Sequence, residues 1–359
     1  MILKIRFATE KGNNKKLRSS NIMKKKSLFT IILIGILLSF GLAGCTNPNA
    51  SANSKDANSG VTATEVRIAT QPSPFAASIF VAKEKGYLEE ELQKTGVKVT
   101  WTSFAAGPPM NEAFAAGQED IGIAGDVPTI LAKASGQKTL IFAKASSGEQ
   151  TLALVVKPDS EIKSAGDLKG KKVAFVKGSY GHHLLGLILQ NAGLTFNDIE
   201  SVNLPVADIS NAVAQGQVAA GVVWEPGLTK GVKNNQVKVL ADGTGIKSNN
   251  IFYIVTQEYA QNNPVVVEAY IKALNRAAEY IKSNPQEAAE AIQTDINLPA
   301  DELVNLFTKY DYTPAIDTND IDELKVVEAF CKEQGLSQAN VNINEFVNTE
   351  YLKNSGLIN

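Results

Sequence analysis

The chain has 359 residues, 44% of them hydrophobic and 20% charged, enough length and apolar content for a large core and about two domains. Its 35 basic and 37 acidic residues give a formal net charge of -2. That balance excludes the broad positive field of a nucleic-acid binder and the acidic excess of a disordered chain.

The first informative element begins at Met23. Lys24, Lys25 and Lys26 form a basic start, Leu28 to Phe40 an apolar run, and small residues then lead to Cys45. The run is shorter than the roughly 20 residues a spanning helix needs, and the layout is that of a secretory signal peptide. Leu42-Ala43-Gly44-Cys45 resembles the bacterial lipobox, which implies cleavage before Cys45 and lipidation of its thiol. The signal is therefore expected over 23–44, with 1–22 as a mis-assigned start or an extension. The stretch 45–64 is rich in Asn, Ser, Ala and Thr and is expected to be a flexible tether on a lipid anchor. The other cysteine, Cys331, lies far from Cys45 in an amphipathic pattern, and no disulfide is expected.

From Val66 the chain alternates short β-rich runs with helical patterns. Strands are expected at 66–70, 97–101, 121–124, 140–142 and 152–156, with helices between them closing at Gly86, Gly117 and Gly136. Asp126 before Pro128 reads as a helix N-cap with an early-turn proline. The alternation continues through strands at 172–176, 199–204, 218–224, 237–240 and 251–255, and the longest amphipathic helix is expected at 265–284. Such alternation predicts an α/β architecture with largely parallel sheets. Several strands end in small or turn residues and lead at once into a helix. In such sheets ligands bind beyond the carboxyl ends of the strands, where helix N-termini offer unpaired N–H groups. Any single loop of this kind is explained by turn chemistry alone; the argument rests on having several.

Longer motifs carry a resemblance. Ser103-Phe104-Ala105-Ala106-Gly107-Pro108-Pro109-Met110-Asn111-Glu112-Ala113, Gly125-Asp126-Val127-Pro128, the run Lys163 to Ala174, Lys177-Gly178-Ser179-Tyr180-Gly181-His182-His183-Leu184-Leu185 and Trp224-Glu225-Pro226 follow one another in the order found in the nitrate, sulfonate and taurine-binding proteins of ABC importers. The resemblance is strong over 66–256 and looser in the helical tail. Ala219-Ala220 and Glu225 depart from the residues usual in that family, which weakens inference to one substrate. The family fold implies a two-lobed, periplasmic-binding-protein-like α/β structure of type II. Lobe 1 is expected at 65–156 plus 251–359 and lobe 2 at 157–250, closing on ligand by hinge motion. The implied function is that of an extracytoplasmic solute-binding protein, lipid-anchored and monomeric. It would deliver an aliphatic sulfonate to ABC permease and ATPase subunits.

The resemblance places Gln71, Ser73, Gly107, Pro108, Gly125, Asp126 and Ser147 on the ligand from lobe 1, and Ser179, Tyr180, His182 and His183 from lobe 2. Trp224 would wall the cleft, with Glu225 beside it. A sulfonate stays ionised and offers only acceptor oxygens, so it needs N–H and O–H donors in a partly dry cleft. Ser179 at a helix start suits this need and equally suits a plain N-cap. Trp224 could instead be core. His182 and His183, the two histidines, are adjacent on a helix and do not share a face, so no metal pair is expected. Asp126 beside an anion is read as a cap, or with Glu225 as the partner of an amine on a zwitterion such as taurine. No cofactor and no catalytic set is expected. The alternatives are binding of taurine, nitrate, bicarbonate or a thiamine pyrimidine precursor, an enzyme of the related thiamine-precursor group, or a lipoprotein sensor or adhesin.

Overall fold

A computed structural model of the chain describes residues 60–104 and 107–359. The signal, the tether and Cys45 lie outside the described residues. Strands β1 (Glu65–Thr70), β2 (Lys98–Ser103), β3 (Ile121–Gly125) and β4 (Thr139–Ser146) belong to a first sheet. Strands β5 (Leu152–Val156), β6 (Lys172–Phe175), β7 (Glu200–Asn203), β8 (Ala220–Trp224) and β9 (Lys238–Asp242) form a second. The last strand, β10 (Ile251–Thr256), returns to the first.

The two sheets share one plan. The first has the order β2-β1-β3-β10-β4, the second β7-β6-β8-β5-β9. In the first, β1 runs parallel to β2 and β3, and β10 is antiparallel to both its neighbours. In the second, β6 runs parallel to β7 and β8, and β5 is antiparallel to both of its own. The single reversed strand in each sheet is the one the chain enters on crossing from the other lobe.

The first crossing corrects a sequence expectation. β5 pairs with β8 and β9, so it belongs to lobe 2, and the chain crosses at 147–151 rather than after Val156. The apolar run Leu-Ala-Leu-Val-Val reads as a buried strand in either sheet, and nothing local to it says which. Its alternate side chains serve both faces of the second sheet. Leu152, Leu154 and Val156 join the large core cluster, while Ala153 and Val155 join a smaller one with Ile209 and Val213. The return crossing occupies 243–250. The two crossings lie side by side, with Gly243 N donating to Glu149 O at 2.9 Å and Asn249 N to Gly148 O at 3.2 Å. A Cβ on Gly148 would stand 2.2 Å from the Lys309 carbonyl oxygen, and one on Gly243 would stand 2.3 Å from that of Lys247. Only glycine lets these backbones approach so closely.

Helices cover both sheets. In lobe 1 they are α1 (Ala77–Glu84), α2 (Tyr87–Leu92), α3 (Gly107–Ala115) and α4 (Asp126–Ala134). Lobe 2 carries α5 (Tyr180–Asn191), α6 (Val206–Ala214) and α7 (Gly227–Lys233). The chain ends in α8 (Gln257–Asn262), α9 (Pro264–Ser283), α10 (Pro285–Ile296), α11 (Ala300–Phe307), α12 (Thr318–Glu333), α13 (Ile343–Phe346) and α14 (Glu350–Asn354). α9 buries Val267, Tyr270, Ile271, Leu274 and Ala277 along one face, as its 3.6-residue period requires. Tyr270 meets Phe142 of β4 and Tyr253 of β10 with ring centroids 5.6 and 5.3 Å apart. α12 touches both lobes: it packs on α4, and its Phe330 lies against the α5 rings of His182 and His183.

Candidate functional site

A cavity of about 730 Å³ lies where the lobes face each other. Each lobe supplies the carboxyl ends of three of its four co-directional strands: β1, β2 and β3 from one, β6, β7 and β8 from the other. Each strand leads to a helix start at the cavity wall. Ser73 caps the 3-10 turn Pro74–Ala76 that runs into α1, Gly107 opens α3, and Gly125 caps α4. Ser179 caps α5, Pro205 precedes α6, and Pro226 precedes α7. First-turn amides have no intrahelical acceptor, and each start carries the positive end of its helix dipole, although in α4 the Asp126 and Val127 amides are already taken by Asn250 O and the Asp126 carboxylate, and in α7 that of Thr229 by Glu225. Their convergence makes the cavity electropositive with little help from side chains: among its described lining residues Lys177 is the one cation and Glu225 the one acid.

The acid is neutralised in place. Glu225 is buried, and its carboxylate accepts from the Thr229 amide at 3.0 Å, the Thr229 hydroxyl at 2.8 Å and Lys309 Nζ at 2.5 Å. Much of the remaining lining is apolar. Trp224 meets Tyr180 edge-on at 4.8 Å, and Leu131, Pro128 and Ile251 complete that part. Burial raises the Tyr180 phenol well above its ordinary value, so it stays protonated, a donor rather than a charge. Gly125 of lobe 1 touches Tyr180 of lobe 2 so closely that a Cβ there would lie 2.6 Å from the ring.

Of the residues singled out in the sequence, Gln71, Ser73, Gly107, Gly125, Ser179, Tyr180, Trp224 and Glu225 line this cavity. Pro108 lies in the first turn of α3. Four others are placed elsewhere. Asp126 is the first residue of α4, one past the cap at Gly125, and its buried carboxylate pairs with Lys247 of the return crossing. Ser147 sits in the first crossing, exchanging backbone hydrogen bonds of 2.9 Å with Asp311. The His182 ring turns away from the cavity and stacks on Phe175 at 4.7 Å, its Nδ1 accepting from the Gly178 amide at 3.3 Å. His183 points into the seam between α5 and α12 and meets Phe330 at 4.7 Å, with neither ring nitrogen hydrogen-bonded. Burial holds the His182 imidazole down to about 4 and that of His183 to about 2, with Lys177 and Lys247 respectively adding to the effect. Asp126 and Glu225 both have lysine partners within the protein, which argues against either as the free counter-charge of a zwitterion.

Ser179 is a working cap. Its Oγ accepts from the His182 amide at 3.2 Å and donates to the Val176 carbonyl at 2.8 Å. Sequence reasoning passed over Asn111, Pro128, Leu131, Lys177, Pro205 and Ile251, which also line the cavity. Asn111, Pro128 and Lys177 stood inside the quoted motifs and could have been chosen. A larger cavity of about 830 Å³ lies at the far ends of α3 and α4, bordered by Gly117, Gly136, Glu119 and Asp120. There the carboxylates of Glu119, Asp120 and Glu258 meet the cations of Arg67 and Lys138, and Arg67 is already paired with Asp120 at 2.6 Å.

The family described as NMT1/THI5 like matches residues 73–288. A relative in Escherichia coli (strain K12), named "Putative aliphatic sulfonates-binding protein", is 33% identical over 242 residues, covering 65% of this chain and 75% of the relative. The crystal structure of the periplasmic aliphatic sulphonate binding protein SsuA from Escherichia coli superposes with a TM-score of 0.73 at 28% identity, covering 80% of this chain and 93% of that one. The alkanesulfonate-binding protein SsuA from Xanthomonas axonopodis pv. citri, bound to MOPS, gives 0.69 at 26% identity, covering 80% and 98%. All three carry the names of binding proteins, and the fold of the two solved structures is the two-lobed architecture described above. The chain therefore belongs to the NMT1/THI5-like family, as a two-lobed α/β protein of the periplasmic-binding-protein kind.

Proposed function

We propose that the chain is the extracytoplasmic solute-binding component of an ABC importer and that its ligand is an aliphatic sulfonate. One observation carries the reading: six helical starts, three from each lobe, converge on a cavity whose other lining is largely apolar. A sulfonate presents three acceptor oxygens to such amides and an organic tail to Trp224 and Leu131. Because donors come from both lobes, ligand binding favours the closed arrangement. The names of the relatives point the same way, and the turning of His182 and His183 out of the cavity supports capture rather than acid–base chemistry. The partners are the permease and ATPase subunits of the importer. Cys45 is the proposed lipid attachment, which would hold a monomer at the outer face of the membrane.

Calorimetric titration of the purified chain with ethanesulfonate, hexanesulfonate, MOPS, taurine, nitrate and a thiamine pyrimidine precursor tests this. Saturable binding of the sulfonates, absent when propionate and heptanoate are titrated as matched carboxylates, is the expected result. Silence from every sulfonate with a signal from another solute overturns the ligand and keeps the importer role.

A further inference from the structure

We propose that Lys309 is a positioning residue that sets the charge preference of the cleft by taking Glu225 out of play. The inference rests on the anion reading above. Glu225 is the one acid among the described residues lining a cavity otherwise built to attract negative charge. It stands at the end of β8, beside Trp224 and Pro226, where a ligand would feel it. Left alone, a buried carboxylate in that wall repels an anion strongly, because little water screens it.

The protein supplies three donors to Glu225. Two come from Thr229, in the first turn of α7 and on the same lobe. The third is Lys309 Nζ, which also lies 3.1 Å from the Thr229 hydroxyl. Lys309 belongs to the other lobe's part of the chain. It follows α11, and its backbone carbonyl packs against Gly148 of the first crossing, while the neighbouring Asp311 pairs with Ser147. The cation thus arrives 84 residues away in sequence and across the lobe boundary. Thr229 satisfies the carboxylate's lone pairs but adds no positive charge. Lys309 alone among these donors cancels the negative one. Lys309 does not line the cavity; it acts on ligand only through Glu225.

The test compares ethanesulfonate with taurine, its amino analogue, on the full chain and three variants. Lys309→Met leaves Glu225 without its counter-charge, held by Thr229 alone. We expect it to weaken ethanesulfonate about tenfold or more while taurine, whose ammonium can answer the carboxylate, loses less, so the affinity ratio moves about tenfold toward taurine. The double variant Glu225→Gln/Lys309→Met removes both charges and should return ethanesulfonate to within about threefold of the original, with the ratio restored. Lys309→Arg keeps the charge and should keep the ratio. Equal losses for both ligands in Lys309→Met, or a double variant that stays weak, overturn the proposal in favour of a purely structural pair. Should Lys309→Met fail to fold, the double variant decides alone: tight ethanesulfonate binding supports the proposal and weak binding defeats it. An original chain that binds neither ligand defeats the anion reading itself, and the inference falls with it; that arm separates the two failures.

Discussion

Asp126 and Lys247 form an ion pair, each side chain only 3% exposed, that fastens the first turn of α4 to the crossing by which the chain returns to lobe 1. The Asp126 amide donates to Asn250 O at 3.2 Å, and the other carboxylate oxygen accepts from the Val127 amide at 2.6 Å, so backbone and side chain hold the same junction. Removing one member of such a pair leaves the other charge buried and alone. Asp126→Asn is therefore expected to lower folding stability by about 3 kcal/mol or more. Asp126→Asn/Lys247→Met should recover most of it. Urea denaturation of the two variants measures this; a stable Asp126→Asn that merely loses taurine affinity would return Asp126 to the ligand.

His183 gives the opposite expectation. The residue is 3% exposed, and neither ring nitrogen has a hydrogen-bond partner. An unmet buried polar group costs about 1–3 kcal/mol. His183→Leu should raise the melting temperature, since the seam between α5 and α12 is already lined by Phe330 and Leu187. A melting temperature that drops would mean the imidazole contributes something the apolar contacts do not.

Acid should destabilise the protein early. Both histidines have folded-state values below the ordinary 6.5, so the unfolded chain takes up protons that the folded chain refuses. Stability then falls as pH drops below about 6.5, by at most about 1.4 kcal/mol per pH unit for each ring, down to about 4 for His182 and about 2 for His183. Denaturation at pH 7, 6 and 5 checks the slope, and His183→Leu should make it shallower. An identical slope in the variant rules His183 out as a source.

Gly125→Ala tests the contact between lobes. The added methyl would meet the Tyr180 ring at 2.6 Å, and Tyr180 is held from behind by Trp224. The lobes must part slightly or the ring must tilt, and ligand affinity should fall about tenfold or more. Calorimetry would show this with little change in melting temperature. Unchanged affinity would mean that Tyr180 has room to move.

Trp224 offers a direct optical reading. The chain has two tryptophans, and the other, Trp101, sits on β2 away from the cavity. Ligand should change the emission of Trp101→Phe protein as much as that of the original, and the change should vanish in Trp224→Phe. A signal that follows Trp101 instead would move the ligand out of this cleft.

Much of the architecture was legible because it is written locally. Val66-Arg67-Ile68-Ala69-Thr70 alternates as a strand, Gly86, Gly117 and Gly136 end helices, and the runs after 170 repeat the scheme. The cleft loops were legible for the same reason: a strand end followed by a helix start is a property of a few adjacent residues. The electrostatics were not. Lys247 meets Asp126 across 121 residues and Lys309 meets Glu225 across 84, and neither lysine stands in a motif. The short helix α2 was missed as well, its six residues too few to show a period. β5 shows the remaining limit, since an all-apolar strand carries no mark of which sheet will pair with it.

The reversed strand in each sheet has a consequence for the order in which the molecule can be assembled. Every strand of lobe 2 lies in one stretch, 152–242, so its sheet is complete as soon as β9 has been made. Lobe 1 starts first yet finishes last. Its sheet keeps a gap between β3 and β4 until β10 arrives at 251–256, and its Phe142 waits longer still for Tyr270. As the chain emerges amino end first, the first lobe therefore remains open while the middle of the chain can already fold, leaving the lobe nearest the start of the chain pliable until most of its length has emerged.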